Sequence, residues 1–147
     1  MRAPAQGSRA SPVETDLLVP SFPMEWFSLP AVLKGRGDRV FVRGGVFGGA
    51  HRLSGEAALA GRRAMLLFTT GQSGESLRPG GAFGPMDDFL FPIHRGMLEF
   101  VGFEVLDPVI NHGPARMTDQ ERTAALEAVG QAVGRATRKP IAVPLSG

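Results

Sequence analysis

An α/β fold with a parallel sheet covered by helices is what this sequence predicts, and three observations predict it. Apolar runs with little polar alternation, Leu17–Val19, Ala64–Thr70 and Phe103–Ile110, read as strands, the middle one buried on both faces. Helical patterns follow them, so that strand and helix alternate three times. The last helix opens on an explicit start signal, Thr118-Asp-Gln-Glu121, a capping box. With 147 residues, 43% of them hydrophobic and 20% charged, the chain has the length and composition of one globular domain.

In chain order, residues 1–15 are rich in Ala, Pro, Ser, Gly and Arg, and read as a disordered tail ahead of a domain spanning 16–147. After the strand Leu17–Val19 a helix is expected, capped by Ser28, with Pro30 in its first turn and Leu29, Val32, Leu33 and Val40 on its inner face. Arg43 to Gly61 is a Gly-rich loop and Gly71 to Pro85 a second one. Met86, Leu90, Ile93, Met97 and Val101 recur at helical spacing, with Gly102 as the stop. Pro108 places the strand Phe103–Ile110 at a sheet edge, where a lost N–H does little harm. The helix begun by the capping box has the inner stripe Leu126, Val129, Val133 and Ala136.

Much chemistry is excluded. There is no Cys, hence no disulfide, thiolate nucleophile or Cys-ligated metal. His51, His94 and His112 lack ligand spacing, so no metal site is expected. The net charge of +2 is scattered, which speaks against nucleic acid, and no apolar run reaches the roughly 20 residues of a membrane span. No secretory signal is evident, and a cytoplasmic location is expected. Arg36-Gly37-Asp38 spells an adhesion tripeptide by accident, Asp87-Asp88 suits a helix start, and His94 reads as a surface residue.

Two segments carry the positive signal. Trp26, the only Trp, stands beside Phe27 at the end of the first strand, an apolar platform suited to a planar ring. Thr69-Thr70-Gly71-Gln72 ends the central strand with hydroxyls, free backbone N–H groups and a glycine that permits close approach. In open α/β sheets ligands bind outside the carboxyl ends of the strands, where both segments would face one crevice.

Phe22-Pro-Met-Glu-Trp-Phe27, Pro30-Ala-Val-Leu-Lys-Gly35, Asp38-Arg-Val-Phe41, Thr69-Thr-Gly71, Pro92-Ile-His-Arg-Gly-Met-Leu-Glu-Phe100 and Gly102-Phe-Glu-Val-Leu106 occur in that order. Over residues 16–138 the chain thereby resembles the flavodoxin-like NAD(P)H dehydrogenase (quinone) family, the DT-diaphorase-like enzymes. The resemblance implies a flavodoxin-like sheet with helices on both faces, a flavin (FAD or FMN), NAD(P)H as co-substrate, a quinone-like acceptor and a homodimer. By matching position it implies that Pro23, Met24, Trp26 and Phe27 line one side of the flavin ring, and that Thr69, Thr70, Gly71 and Gln72 approach its other edge.

The chain also departs from the family. Members begin with a strand, a phosphate- or ribityl-binding loop, a helix and a second strand, where this sequence has its fifteen-residue tail. An N-terminally truncated domain holding only the last three strand–helix units is therefore expected, with flavin bound weakly or not at all. The positions of the family's Tyr and His are Leu77 and Phe83, so no catalytic residue is expected there. Gln72 replaces a Gly, and Arg36 an aromatic. The alternative expectation is a non-catalytic remnant, or a regulatory or interaction subunit without flavin.

Overall fold

A computed structural model of the chain describes residues 15–48 and 57–138. The expected tail, apart from Thr15, and the centre of the first Gly-rich loop lie outside them. The described sheet has three parallel strands in sequence order, each interrupted once. The first comprises β1 (Leu17–Leu18) and β2 (Ser21–Pro23), the central one β3 (Arg63–Ala64) and β4 (Leu67–Thr70), the third β5 (Glu104–Val105) and β6 (Val109–His112). The helices are α1 (Ala31–Val40), α2 (Met86–Ile93) and α3 (Asp119–Arg138). This is the alternation read from the sequence, with Ala64–Thr70 at the centre.

Across the interruptions the first strand keeps register: Leu17 pairs with Arg63 and Ser21 with Leu67. The third strand does not. Arg63 pairs with Glu104 but Leu67 with Val109, so one extra residue is accommodated over Leu106-Asp107-Pro108. Leu106 N–H donates to Ala64 O and Val109 N–H to Leu66 O, both at 2.8 Å, which brackets the bulge. Pro108, with no N–H to offer, falls inside it, as proline at a sheet edge requires.

Strand pleating puts Ala64, Leu66 and Phe68 on one face of the sheet and Arg63 and Met65 on the other. The first set joins Phe22, Leu90, Ile93, Leu98 and Val101 in the core, with Leu33 of α1 packed against it. On the opposite face, Arg63 is 3% exposed and its Nη1 donates to Ala136 O at 2.5 Å, near the C-terminus of α3. A guanidinium there meets the negative end of the helix dipole, so one buried cation ties α3 to the central strand. Helices thus cover both faces.

Four local expectations change. Ser28 does not cap α1; it closes a turn with Glu25, and Pro30 directly precedes the helix without a side-chain cap. Val32 is exposed, and so is Leu126 near the start of α3, which reaches full burial only at Ala136. The spacing through Met97 fails because α2 continues as a π-helical turn over His94–Glu99. That turn spaces buried residues five apart, Ile93 to Leu98, and leaves Met97 half-buried. Pro92, inside α2, contributes no N–H to the regular ladder, the ordinary origin of such an irregularity. The capping box forms as read: Glu121 N–H donates to Thr118 Oγ1 at 3.2 Å, and Thr118 N–H to Glu121 Oε2 at 2.7 Å.

The fourth change is His94, which is half-buried with its Nε2 buried and without a hydrogen-bond partner. Burial lowers its pKa from the ordinary 6.5, against the opposing pull of Glu99 and Asp87. With the folded-state pKa below the unfolded one, the unfolded chain takes up the proton first. The associated stability is complete above the unfolded pKa of about 6.5 and is lost as pH falls through the folded value. Urea unfolding at pH 7.5 and at pH 5 should show a larger acid loss for the wild type than for His94→Met. Equal losses would remove burial of this ring as the cause.

Candidate functional site

The carboxyl ends of the three strands lie side by side. Pro23 is in register with Thr69, and Thr70 with His112. Met24 N–H donates to Thr69 O at 2.8 Å and Gly113 N–H to Thr70 O at 2.7 Å, so both outer strands are bonded to the central one at this end. Pro23, Met24, Thr69, Thr70, Gly71 and Gln72 are therefore brought together by the sheet itself. Thr70 is 5% exposed, and its Oγ1 accepts the Gln72 N–H at 3.3 Å. Gly71 is exposed with open space around its Cα, and its N–H donates to no described residue.

Trp26 and Phe27 do not form one flat surface. Glu25 and Ser28 exchange backbone hydrogen bonds at 3.0 and 2.9 Å, and the two residues between them have φ of 49° and 58°. This is a type I′ turn, whose central positions are ordinarily Asn-Gly because both need left-handed backbone. Two aromatics in those positions store strain, on the order of 1 kcal/mol or more each. The turn also separates the rings. Trp26 is 96% exposed, whereas Phe27 folds back to stack on Phe89 (centroids 4.6 Å apart, planes at 21°) and to touch Phe83 at 5.2 Å. Trp26→Asn should therefore raise stability by about 1 kcal/mol, since Asn tolerates this backbone and no packing is lost. A lower urea midpoint for the variant would contradict the turn assignment.

In the second loop stand the two residues that the resemblance matches to the family's Tyr and His. Leu77, in the short 3-10 turn Glu75–Leu77, is buried, and Phe83 is half exposed beside Phe27. Two residues missed in the sequence stand at this end instead. His112 Nδ1 lies 3.1 Å from Gln72 O, and Arg116 Nη2 donates to Gly71 O at 2.8 Å. Neither belongs to a motif; only the parallel register of β4 and β6 carries them to the loop. Among the described residues no group of three His, Asp or Glu could hold a metal ion, and no helix is long and apolar enough to cross a membrane.

A hollow of about 430 Å³ lies elsewhere, between the first strand, α1 and the π-helical turn, lined by Leu18, Pro20, Leu33, Val40 and Met97 among others. Its lining is mainly apolar and includes none of Pro23, Met24 or Thr69–Gln72, so it is separate from the strand ends, which remain the candidate site.

A family model described as "Flavodoxin-like fold" matches residues 6–133, and the chain belongs to that family. Several of its curated relatives carry the name of a quinone dehydrogenase. It is 39% identical over 113 residues to the rat ribosyldihydronicotinamide dehydrogenase [quinone], which covers 77% of this chain and 48% of the rat protein. It is 37% identical over 113 residues to the guinea-pig (Cavia porcellus) NAD(P)H dehydrogenase [quinone] 1, covering 77% and 41%. The chain thus spans about half the length, or less, of these curated relatives. Among solved structures, a Klebsiella pneumoniae protein described as a quinone reductase superposes with a TM-score of 0.79 at 34% identity, over 88% of this chain and 53% of that one. General stress protein 14 of Treponema denticola, solved with FMN, shares the fold with a TM-score of 0.68 at 22% identity, covering 84% of this chain and 66% of that one.

Proposed function

We propose that this chain provides the ring-binding part of a flavin site in an NAD(P)H:quinone oxidoreductase, cytoplasmic and homodimeric. The observation that carries the reading is the juxtaposition of Pro23–Met24 with Thr69–Gln72 at the carboxyl ends of paired parallel strands, with an exposed Trp26 in the turn that follows Met24. The residues suit a planar, acceptor-bearing ring. Gly71 leaves room for close approach and offers an unengaged N–H; Trp26 offers an indole face; Phe27, braced by Phe89, fixes the turn. A flavin held there, FMN or FAD, would supply the hydride-transfer chemistry between NAD(P)H and a quinone. The protein's share is orientation and exclusion of water. With Leu77 and Phe83 in the loop, no side chain at those two positions moves a proton.

The test uses Trp26, the only tryptophan, as reporter. Titrating FMN, then FAD, into the purified chain should quench its emission saturably at one flavin per chain. Turnover of NADPH with a quinone should follow flavin occupancy. No quenching and no flavin difference spectrum at any concentration would overturn the reading and leave the alternative, an interaction subunit without flavin.

A further inference from the structure

The loop that ends the central strand is not held by its own residues alone. Its two successive carbonyls, of Gly71 and Gln72, are both engaged from the third strand: Arg116 Nη2 donates to Gly71 O at 2.8 Å, and His112 Nδ1 sits 3.1 Å from Gln72 O. For the second contact to be a hydrogen bond, Nδ1 carries the proton, since a carbonyl only accepts. The surroundings fit both side chains. Gly113 has φ of 57°, and a Cβ there would collide with the Arg116 guanidinium, so only the bare Cα lets that side chain fold back over the chain. Gly74 lies against the His112 ring, where a Cβ would stand 3.7 Å from Nε2. Arg116 N–H also donates to Gly113 O at 2.9 Å, closing the turn that aims it.

We infer that His112 and Arg116 are positioning residues that clamp the Gly71–Gln72 loop from the third strand, so that the Gly71 N–H is presented to a hydrogen-bond acceptor on the bound ligand, a ring carbonyl or ring nitrogen. With both carbonyls engaged and the Gln72 N–H directed at Thr70 Oγ1, the Gly71 N–H is the donor left over where the candidate site opens. An unclamped glycine loop would sample many conformations and bind at the cost of ordering itself. The inference rests on the reading of the strand ends as a flavin site, and it adds residues outside the segments that carry the family resemblance.

Two independent readouts decide it, on the full chain. Arg116→Ala and His112→Phe remove one clamp each, and Gly113→Ala displaces the Arg116 side chain without changing charge. Arg122→Ala, an exposed partner of Asp119, removes a positive charge without touching the loop. In ¹⁵N relaxation the order parameters of Gly71 to Ser73 should fall from about 0.85 to below about 0.6 in the double variant Arg116→Ala/His112→Phe, and stay unchanged in Arg122→Ala. The FMN dissociation constant, from flavin fluorescence, should rise about tenfold in the double variant at an unchanged melting temperature, the loss of roughly 1.4 kcal/mol of positioning. Unchanged order parameters overturn the clamp. A loosened loop with unchanged FMN affinity also overturns it, since the ordering would then serve no ligand. A wild type that binds no FMN refutes the flavin reading, while the relaxation data still decide the clamp itself.

Discussion

Phe68→Ala should destabilise the protein by about 4 kcal/mol, the upper range for removing a buried aromatic ring. Phe68 is 1% exposed on the central strand, and its ring stacks on Phe22 in the neighbouring strand, with centroids 5.5 Å apart and planes at 14°. The two are register partners, so the lost ring leaves a void bounded by sheet and helices that backbone movement cannot easily close. Phe22 immediately precedes Pro23 and Met24, so the same substitution loosens the strand end that forms the candidate site. Urea unfolding and a melting temperature lower by about 15 °C would register the effect, at a few degrees per kcal/mol for a domain of this size. Phe91→Ala is the control: its ring is 62% exposed, and its loss should change stability by no more than about 0.5 kcal/mol. Comparable losses for both would mean that the stacked pair is not the centre of the core.

Gly102→Ala is the second large effect, about 3 kcal/mol, from backbone strain and collision together. Gly102 ends the π-helical extension of α2 with φ of 110°, a conformation that L residues rarely adopt. Its N–H donates to Glu99 O at 3.0 Å, and the next residue, Phe103, donates to Leu98 O at 3.0 Å, so the helix is closed across the glycine. A Cβ there would stand 2.7 Å from the Ala60 backbone nitrogen and 3.0 Å from the Ala57 Cβ. The obstacle is backbone and cannot rotate away. Gly35→Ala, in the middle of α1 with no atom within 4 Å of a new Cβ, should instead stabilise by up to about 1 kcal/mol. Opposite signs for two glycine-to-alanine changes test whether local surroundings, rather than the residue type, set the outcome.

The alternation of strand and helix, the central position of Ala64–Thr70, the capping box at Thr118 and the stop at Gly102 were legible from sequence. Each is encoded within a few adjacent residues, as an apolar run, a spacing or a cap. Three details were not. The π-helical turn that moves burial from Met97 to Leu98 follows from a missing N–H at Pro92 and from what the core will accept. The exposure of Val32 and Leu126 depends on which helix faces find a neighbour, and periodicity states only that a face exists. The partial burial of His94 follows from the same shift of helix phase.

For the candidate site, the residue types at Pro23–Phe27 and Thr69–Gln72 were readable because they lie in contiguous segments, both within the residues 6–133 that the family model matches. Tertiary structure alone decided that the Trp26 and Phe27 rings part company, because a type I′ turn is defined by backbone dihedrals that this pair of residues does not favour. It alone brought His112 and Arg116 to the loop, across forty or more residues of chain. Local sequence determines what each segment prefers to be. Which segments meet is settled by the register of parallel strands and the packing of the layers, which no single segment contains.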